Sequence, residues 1–203
     1  FEEAGEKVMA LREERGLYFV HPANEPCLIN GVGTGFLEVL EEQPDVEVMM
    51  VPLGAGSEVA AAITVMRAVK PDIEIIAVQA EAAPAAYHSW KAGRIVTADN
   101  TTFAGGVATG TAYEVPFSLY ADGLDDVVLL SETELYQGIA LAAYHTRNLS
   151  EGAGSATLRA AVKIRERLAG KKVALQFSGC NASPAEVRNA AEQGCMADGM
   201  IAE

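Results

Sequence analysis

Residues 46–62, VEVMMVPLGAGSEVAAA, decide the reading of the fold. An apolar run ends at Pro52. A turn of small residues follows (Gly54, Ala55, Gly56, Ser57), and an alanine-rich helical pattern begins at once. A strand that passes through a glycine turn into a helix is the repeating unit of a parallel α/β sheet. The first amides of such a helix have no intrahelical partner, and the helix dipole adds partial positive charge there. The turn is therefore a candidate anion site, with side chains small enough for a phosphate to approach the backbone. The competing reading is an ordinary tight turn that binds nothing.

The same alternation runs outward in both directions. Residues 72–79 (DIEIIAVQ), 127–130 and 171–177 read as further strands, and 17–20 as a short one. Helices are expected over 1–16, 28–42, 58–69, 84–93, 132–145, 152–168 and 184–192. Ser131 and Glu134 have the spacing of a capping box at the start of one of them. Gly31, Gly33 and Gly35 each weaken the 28–42 helix by about 1 kcal/mol relative to alanine, which implies close packing or a hinge. Arg159, Lys163, Arg165 and Arg167 are expected on or near the outer face of the 152–168 helix. Residues 100–116 (NTTFAGGVATGTAYEVP) read as a loop, and the tail 194–203 shows no pattern. The whole is an α/β chain with a parallel, helix-covered sheet. In such sheets ligands bind beyond the carboxyl ends of the strands. Two turns occupy that position, 54–57 and 178–181.

A chain of 203 residues, 50% hydrophobic and 21% charged, suits one globular unit, with two domains allowed. A net charge of −13 argues against nucleic acid and anionic membranes as partners and favours a small-molecule ligand. The apolar runs are too short to span a bilayer. Cys27, Cys180 and Cys195 are odd in number and form no CxxC pair, which points to a reducing, cytoplasmic setting.

The turn 54–57 lacks the Lys-Ser/Thr end of a nucleotide P-loop, and it lacks GxGxxG as well. Ser178, in the run SGCN, has a hydroxyl that can donate to or accept from a ring nitrogen; it can equally cap a helix. Cys180 is expected to be a small packed residue. His21, His88 and His145 do not pair at metal-ligand spacing, and only His21 is expected near a site. Glu151, in the run EGAG, is either a helix-start carboxylate or a group facing the ligand. Gln79 and Glu81 close a strand at the ligand edge.

Taken in order, FVHPANEPCLINGVGTGFLEVLEE, VPLGAGSEVAAAITVMRAVKPDIEIIAVQAEAAPAAYHSWKAG, TFAGGVA, EGAGSATLRAA and VALQFSGCN resemble the serine/threonine dehydratase (threonine ammonia-lyase-like) family. That family lies within the tryptophan-synthase-like, fold type II pyridoxal-phosphate enzymes. The resemblance implies that residues 1–30 are the end of a small domain and 31–203 most of the large, cofactor-phosphate-binding domain. It implies pyridoxal 5'-phosphate as cofactor, bound by Gly54, Ala55, Gly56, Ser57, Ser178, Gly179, Asn181 and Glu151. Ser178 would meet the pyridine nitrogen, and a neutral hydroxyl there suits β-elimination. Residues 31–34 match the crossing between the domains.

The chain also departs from the family. Ala55 and Ser57 stand in a loop that is usually nearly all glycine, and Gly105 replaces an aspartate in TFAGG. Serine-racemase-like members bind a divalent cation where this chain has Gln79 and Ala85. That metal site is expected to be lost, or rebuilt around Glu81. The Schiff-base lysine of the family falls before residue 1, and Lys7, Lys70, Lys91, Lys163, Lys171 and Lys172 match no such motif. The expected activity is dehydration of a hydroxy-amino acid, threonine or serine by default, to a 2-oxo acid and ammonia. The alternatives are 3-hydroxyaspartate, a hydroxyectoine-derived substrate, or a lysine-less binder of a phosphorylated small molecule. A cytoplasmic homodimer is expected, completed by the missing N-terminal segment, with no nucleic acid or membrane partner.

Overall fold

Val48–Pro52 (β1) is buried at all five positions, as a strand covered on both faces requires. The computed structural model describes residues 2–194. It places β1 in a four-stranded, all-parallel sheet with Glu74–Ala80 (β2), Asp126–Leu130 (β3) and Val173–Leu175 (β4). The strand order is β3-β2-β1-β4. β1 pairs with β2 from Val48↔Glu74 to Pro52↔Val78, and with β4 from Val48↔Val173 to Met50↔Leu175.

The helices along the chain are Glu2–Arg15 (α1), Pro26–Glu42 (α2), Ser57–Val69 (α3), Ala85–Ala92 (α4) and Glu114–Tyr120 (α5). After β3 come Glu132–Leu141 (α6), Ala156–Lys163 (α7), Arg165–Leu168 (α8) and, beyond β4, Pro184–Asn189 (α9). Side-chain alternation divides the core in two. Met49, Val51, Ile75 and Ala77 pack with Phe36 and Leu40 of α2, Val59 and Met66 of α3, and Tyr120 of α5. Val48, Met50, Ile76 and Val78 pack with Leu135 of α6 and Ala156 and Ala160 of α7. A parallel sheet with helices on both faces is the outcome that strand–helix alternation dictates.

Several expectations need correction. Residues 17–20 form no strand; Leu17, Tyr18 and Val20 are exposed. A β-prone run becomes a strand only beside a partner, and no described strand adjoins it. Instead the Tyr18 hydroxyl donates to Glu25 (2.5 Å), whose carboxylate also caps α2 at the Cys27 amide (3.2 Å). The glycines of α2 differ among themselves. Only Gly33 is close-packed, with Val65 Cγ2 2.8 Å from where a Cβ would stand.

The expected 152–168 helix begins later, at Ala156, and breaks at Ile164 (φ −108°, ψ 23°). Gly154 sits against the Gly179 carbonyl with no room for a Cβ, and this holds the preceding segment as a turn. Arg159 is buried, not outward-facing. Its Nε donates to Gln137 Oε1 (2.8 Å), and its guanidinium pairs with Glu134 (3.2 Å). The Ser131–Glu134 capping box forms as read, but α6 stops at Leu141 and passes into a wide π-type turn, Ala142–Thr146. A similar turn, Ala190–Gly194, follows α9. The 171–177 strand shortens to β4. Pro116 in the 100–116 loop hides α5, in whose first turn it sits without needing an N–H donor. Cys195 and residues 195–203 of the expected tail lie outside the described residues.

Candidate active site

The turn after β1 is built by two contacts from the 100–120 segment. A Cβ on Gly54 would collide with the Gly106 carbonyl. A Cβ on Gly56 would stand 2.9 Å from Tyr120 Cε1 and 3.0 Å from Pro116 Cβ, and Gly56 has φ +95° besides. These two positions therefore require glycine. Ala55 and Ser57 are partly exposed to a cleft, so their extra atoms have space there. This accounts for the departure from an all-glycine loop. Leu53 N–H is spent on Val78 O (2.7 Å), and helical bonding resumes with Ala60 N–H to Gly56 O (2.9 Å). Among the described residues, the amides of Gly54, Ala55, Gly56 and Ser57 meet no acceptor, and no side chain caps α3.

The cleft encloses about 1570 Å³ at the carboxyl edge of the sheet. It gathers Gly54, Ala55, Gly56, Ser57, Glu151 and Ser178, six of the eight residues expected to bind cofactor. Ser178 is exposed, and among the described residues its hydroxyl has no protein partner. Gly179 lies behind the wall. Its carbonyl accepts from Ser150 Oγ (2.8 Å) and Glu151 N–H (3.3 Å), and the Glu151 side chain leaves no space for a Cβ on it. Its role is to shape the Glu151 turn. Asn181 is exposed and does not line the cleft. Cys180 is exposed rather than packed, because the chain after β4 runs across the surface.

His21 stands one ring away from the cleft. Its Nδ1 accepts from the Ala23 and Asn24 amides (both 2.9 Å), and its ring meets Tyr113, which lines the cleft. Gln79 is fully buried, with Oε1 accepting from Tyr87 N–H (2.9 Å). Glu81 is exposed and Ala85 offers no donor atom. No group of three or more His, Cys, Asp or Glu side chains converges among the described residues.

Sequence reading missed three titratable cleft residues: Glu58, Asp99 and Tyr113. Glu58 had a local signal, an acid in the first turn of a helix that opens on an anion site. Asp99 and Tyr113 had none, because a long excursion after β2 brings them in. Burial pushes the Glu58 carboxyl above the usual carboxylate range, against an opposing hydrogen bond from Gln176. Burial likewise raises the Tyr113 phenol. No Lys, Arg or His lines the cleft among the described residues. Its fixed positive potential is the N-terminus of α3.

The cleft thus joins a strand-to-helix glycine turn with open amides to the Ser178 hydroxyl just beyond the neighbouring strand β4. The family model for pyridoxal-phosphate dependent enzymes matches residues 1–179, and the chain belongs to that family. It is 38% identical over 201 residues to an L-threonine ammonia-lyase of Geobacter sulfurreducens, covering 98% of this chain and 50% of that one. The structure resembles a threonine deaminase from T.th. (TM-score 0.83, 32% identity, 88% of this chain and 62% of that one). It also resembles the processed form of threonine deaminase isoform 2 from Solanum lycopersicum (TM-score 0.86, 25% identity, 91% and 55%). The fold is that of the fold type II enzymes. The chain spans about half the length of the curated relatives it matches. No helix among the described residues is long and apolar enough to cross a membrane.

Proposed function

We propose that this chain is the cofactor-phosphate-binding part of a pyridoxal 5'-phosphate-dependent ammonia-lyase that dehydrates a hydroxy-amino acid, threonine or serine by default. The observation that carries the reading is the turn 54–57, with open amides and no room for Cβ at Gly54 and Gly56, in one cleft with the unpartnered Ser178 hydroxyl. The relatives' names support the substrate class. In this reading the amides of Gly54, Ala55, Gly56 and Ser57 hold the cofactor phosphate at the N-terminus of α3. The Ser178 hydroxyl hydrogen-bonds the pyridine nitrogen. Gly179 fixes the turn that presents Glu151 to the ligand. The cofactor supplies the electron sink that acidifies the amino acid Cα–H.

Residues 1–30 are read as the end of a small domain and 31–203 as most of the large one. The Schiff-base lysine then comes from polypeptide preceding residue 1. A cytoplasmic homodimer is the proposed assembly. The test is a screen of the full-length protein against threonine, serine and 3-hydroxyaspartate, reading release of 2-oxo acid. Turnover of threonine or serine supports the reading. Turnover of 3-hydroxyaspartate alone reassigns the substrate, and inertness toward all three with no bound cofactor overturns it.

A further inference from the structure

Glu58 follows the proposed phosphate turn directly in sequence and lines the same cleft. It is the second residue of α3, and Ser178 lines that cleft too. Gln176 meets it from the end of β4, two residues before Ser178. Gln176 is itself fixed: its N–H donates to Met50 O (3.2 Å), and its carbonyl accepts from Thr157 Oγ (2.9 Å). Its side-chain Oε1 is buried without a partner among the described residues. The polar pair therefore joins the head of α3 to the end of β4.

Among the described residues, no lysine, arginine or histidine lines the cleft beside Glu58. The other titratable groups on the cleft are Asp99, Tyr113 and Glu151. Neither α2, α5, β1 and β2, which pack on α3, nor β4 puts a lysine, arginine or histidine on it. An ionised Glu58 and a dianionic phosphate would then share one helix N-terminus, and like charges at such a distance disfavour the second ionisation. Burial already favours the neutral carboxyl.

We infer that Glu58 takes up a proton when a phosphate ester binds at the 54–57 turn, and that its neutral carboxyl then donates a hydrogen bond to the phosphate. The inference rests on the phosphate reading above. The proton comes from solvent and adds to the Glu58 carboxylate; no bond of the ligand changes. An ordinary first-turn glutamate, stabilised as an anion by the helix dipole, would take up none.

The test is calorimetric titration of the full-length apoprotein with pyridoxine 5'-phosphate, which has no aldehyde, at pH 7.5. Two buffers of different ionisation enthalpy report the protons exchanged. At this pH the ester is mostly dianionic, since its second pKa is about 6. The wild type is expected to take up about one proton more than Glu58→Gln. Its dissociation constant should weaken with rising pH, toward about tenfold per unit, while that of Glu58→Gln stays nearly flat. The wild-type pH series serves on its own if the variant does not fold. Binding by both proteins with equal proton uptake, or a flat wild-type series, overturns the Glu58 role and leaves the phosphate reading standing. Binding by neither overturns the phosphate reading and this inference with it.

Discussion

The strands of this sheet begin among paired charges and end among unpaired ones. At the amino ends, Glu74 of β2 accepts from Arg167 and from Lys171 (2.7 Å), and Asp126 of β3 also pairs with Arg167. Asp125 takes Arg67 (2.6 Å) and the Ile75 amide (2.7 Å), and Asp45 pairs with Lys172. At the carboxyl ends, Glu58, Asp99 and Glu151 line the cleft with no cation among the lining side chains. The difference shows that one end stabilises the chain through its own ion pairs. At the other, the 54–57 amides and the Ser178 hydroxyl have no partner among the described residues.

The comparison breaks most sharply at Gly54. Gly54→Ala drives a Cβ into the Gly106 carbonyl and should cost about 2–3 kcal/mol. Phosphate-ligand binding should be lost with it. Ala55→Gly, a turn position open to the cleft, should leave both nearly unchanged; equilibrium unfolding and ligand titration read the pair. At the opposite end, Glu74→Gln should cost at most about 1 kcal/mol, because its partners are partly exposed and salt screens them.

The pH dependence sharpens the contrast. Burial pushes the Glu74 carboxyl up, but the hydrogen bonds from Lys171 and Arg167 outweigh it and hold its pKa below the ordinary value. Its contribution is therefore present above the ordinary carboxylate range and is lost as pH falls through the depressed pKa. Glu58 carries the opposite sign. Its raised pKa means that ionisation opposes folding. Glu58→Gln should gain a little stability above that pKa, and the gain should vanish as pH falls below the ordinary carboxylate range. Urea unfolding of both variants from about pH 2.5 to about pH 8 checks the two signs. The smallest effect belongs to Cys180→Ser, expected within about 0.5 kcal/mol because the side chain is exposed.

Features set by neighbours in sequence were legible. The run into β1, the turn and α3 appear nearly where they were expected, and the Ser131–Glu134 capping box closes as its spacing implies. Features that depend on a distant surface were not. Arg159 follows a charged helical pattern, yet α6 lies over it and supplies Gln137 and Glu134. Residues 17–20 have strand character and no strand beside them. Cys180 and Asn181 follow the half-buried strand β4, but the chain runs onto the surface directly after it.

By itself, the sequence determined a parallel α/β chain with a small-residue turn at the head of a helix, because hydrophobic period and turn chemistry are local properties. It also carried the ordered set of motifs that places the chain among the pyridoxal-phosphate dependent enzymes. Only the tertiary structure decided that Gly54 and Gly56 are obligatory while Ala55 and Ser57 are not. It alone brought Asp99, Tyr113, Glu151 and Ser178 to the same cleft as the turn, and set Glu58 against Gln176. The reason is that steric room and burial belong to pairs of surfaces. Which surfaces meet is fixed by the strand order and by the long excursions between strands, not by any one stretch of chain.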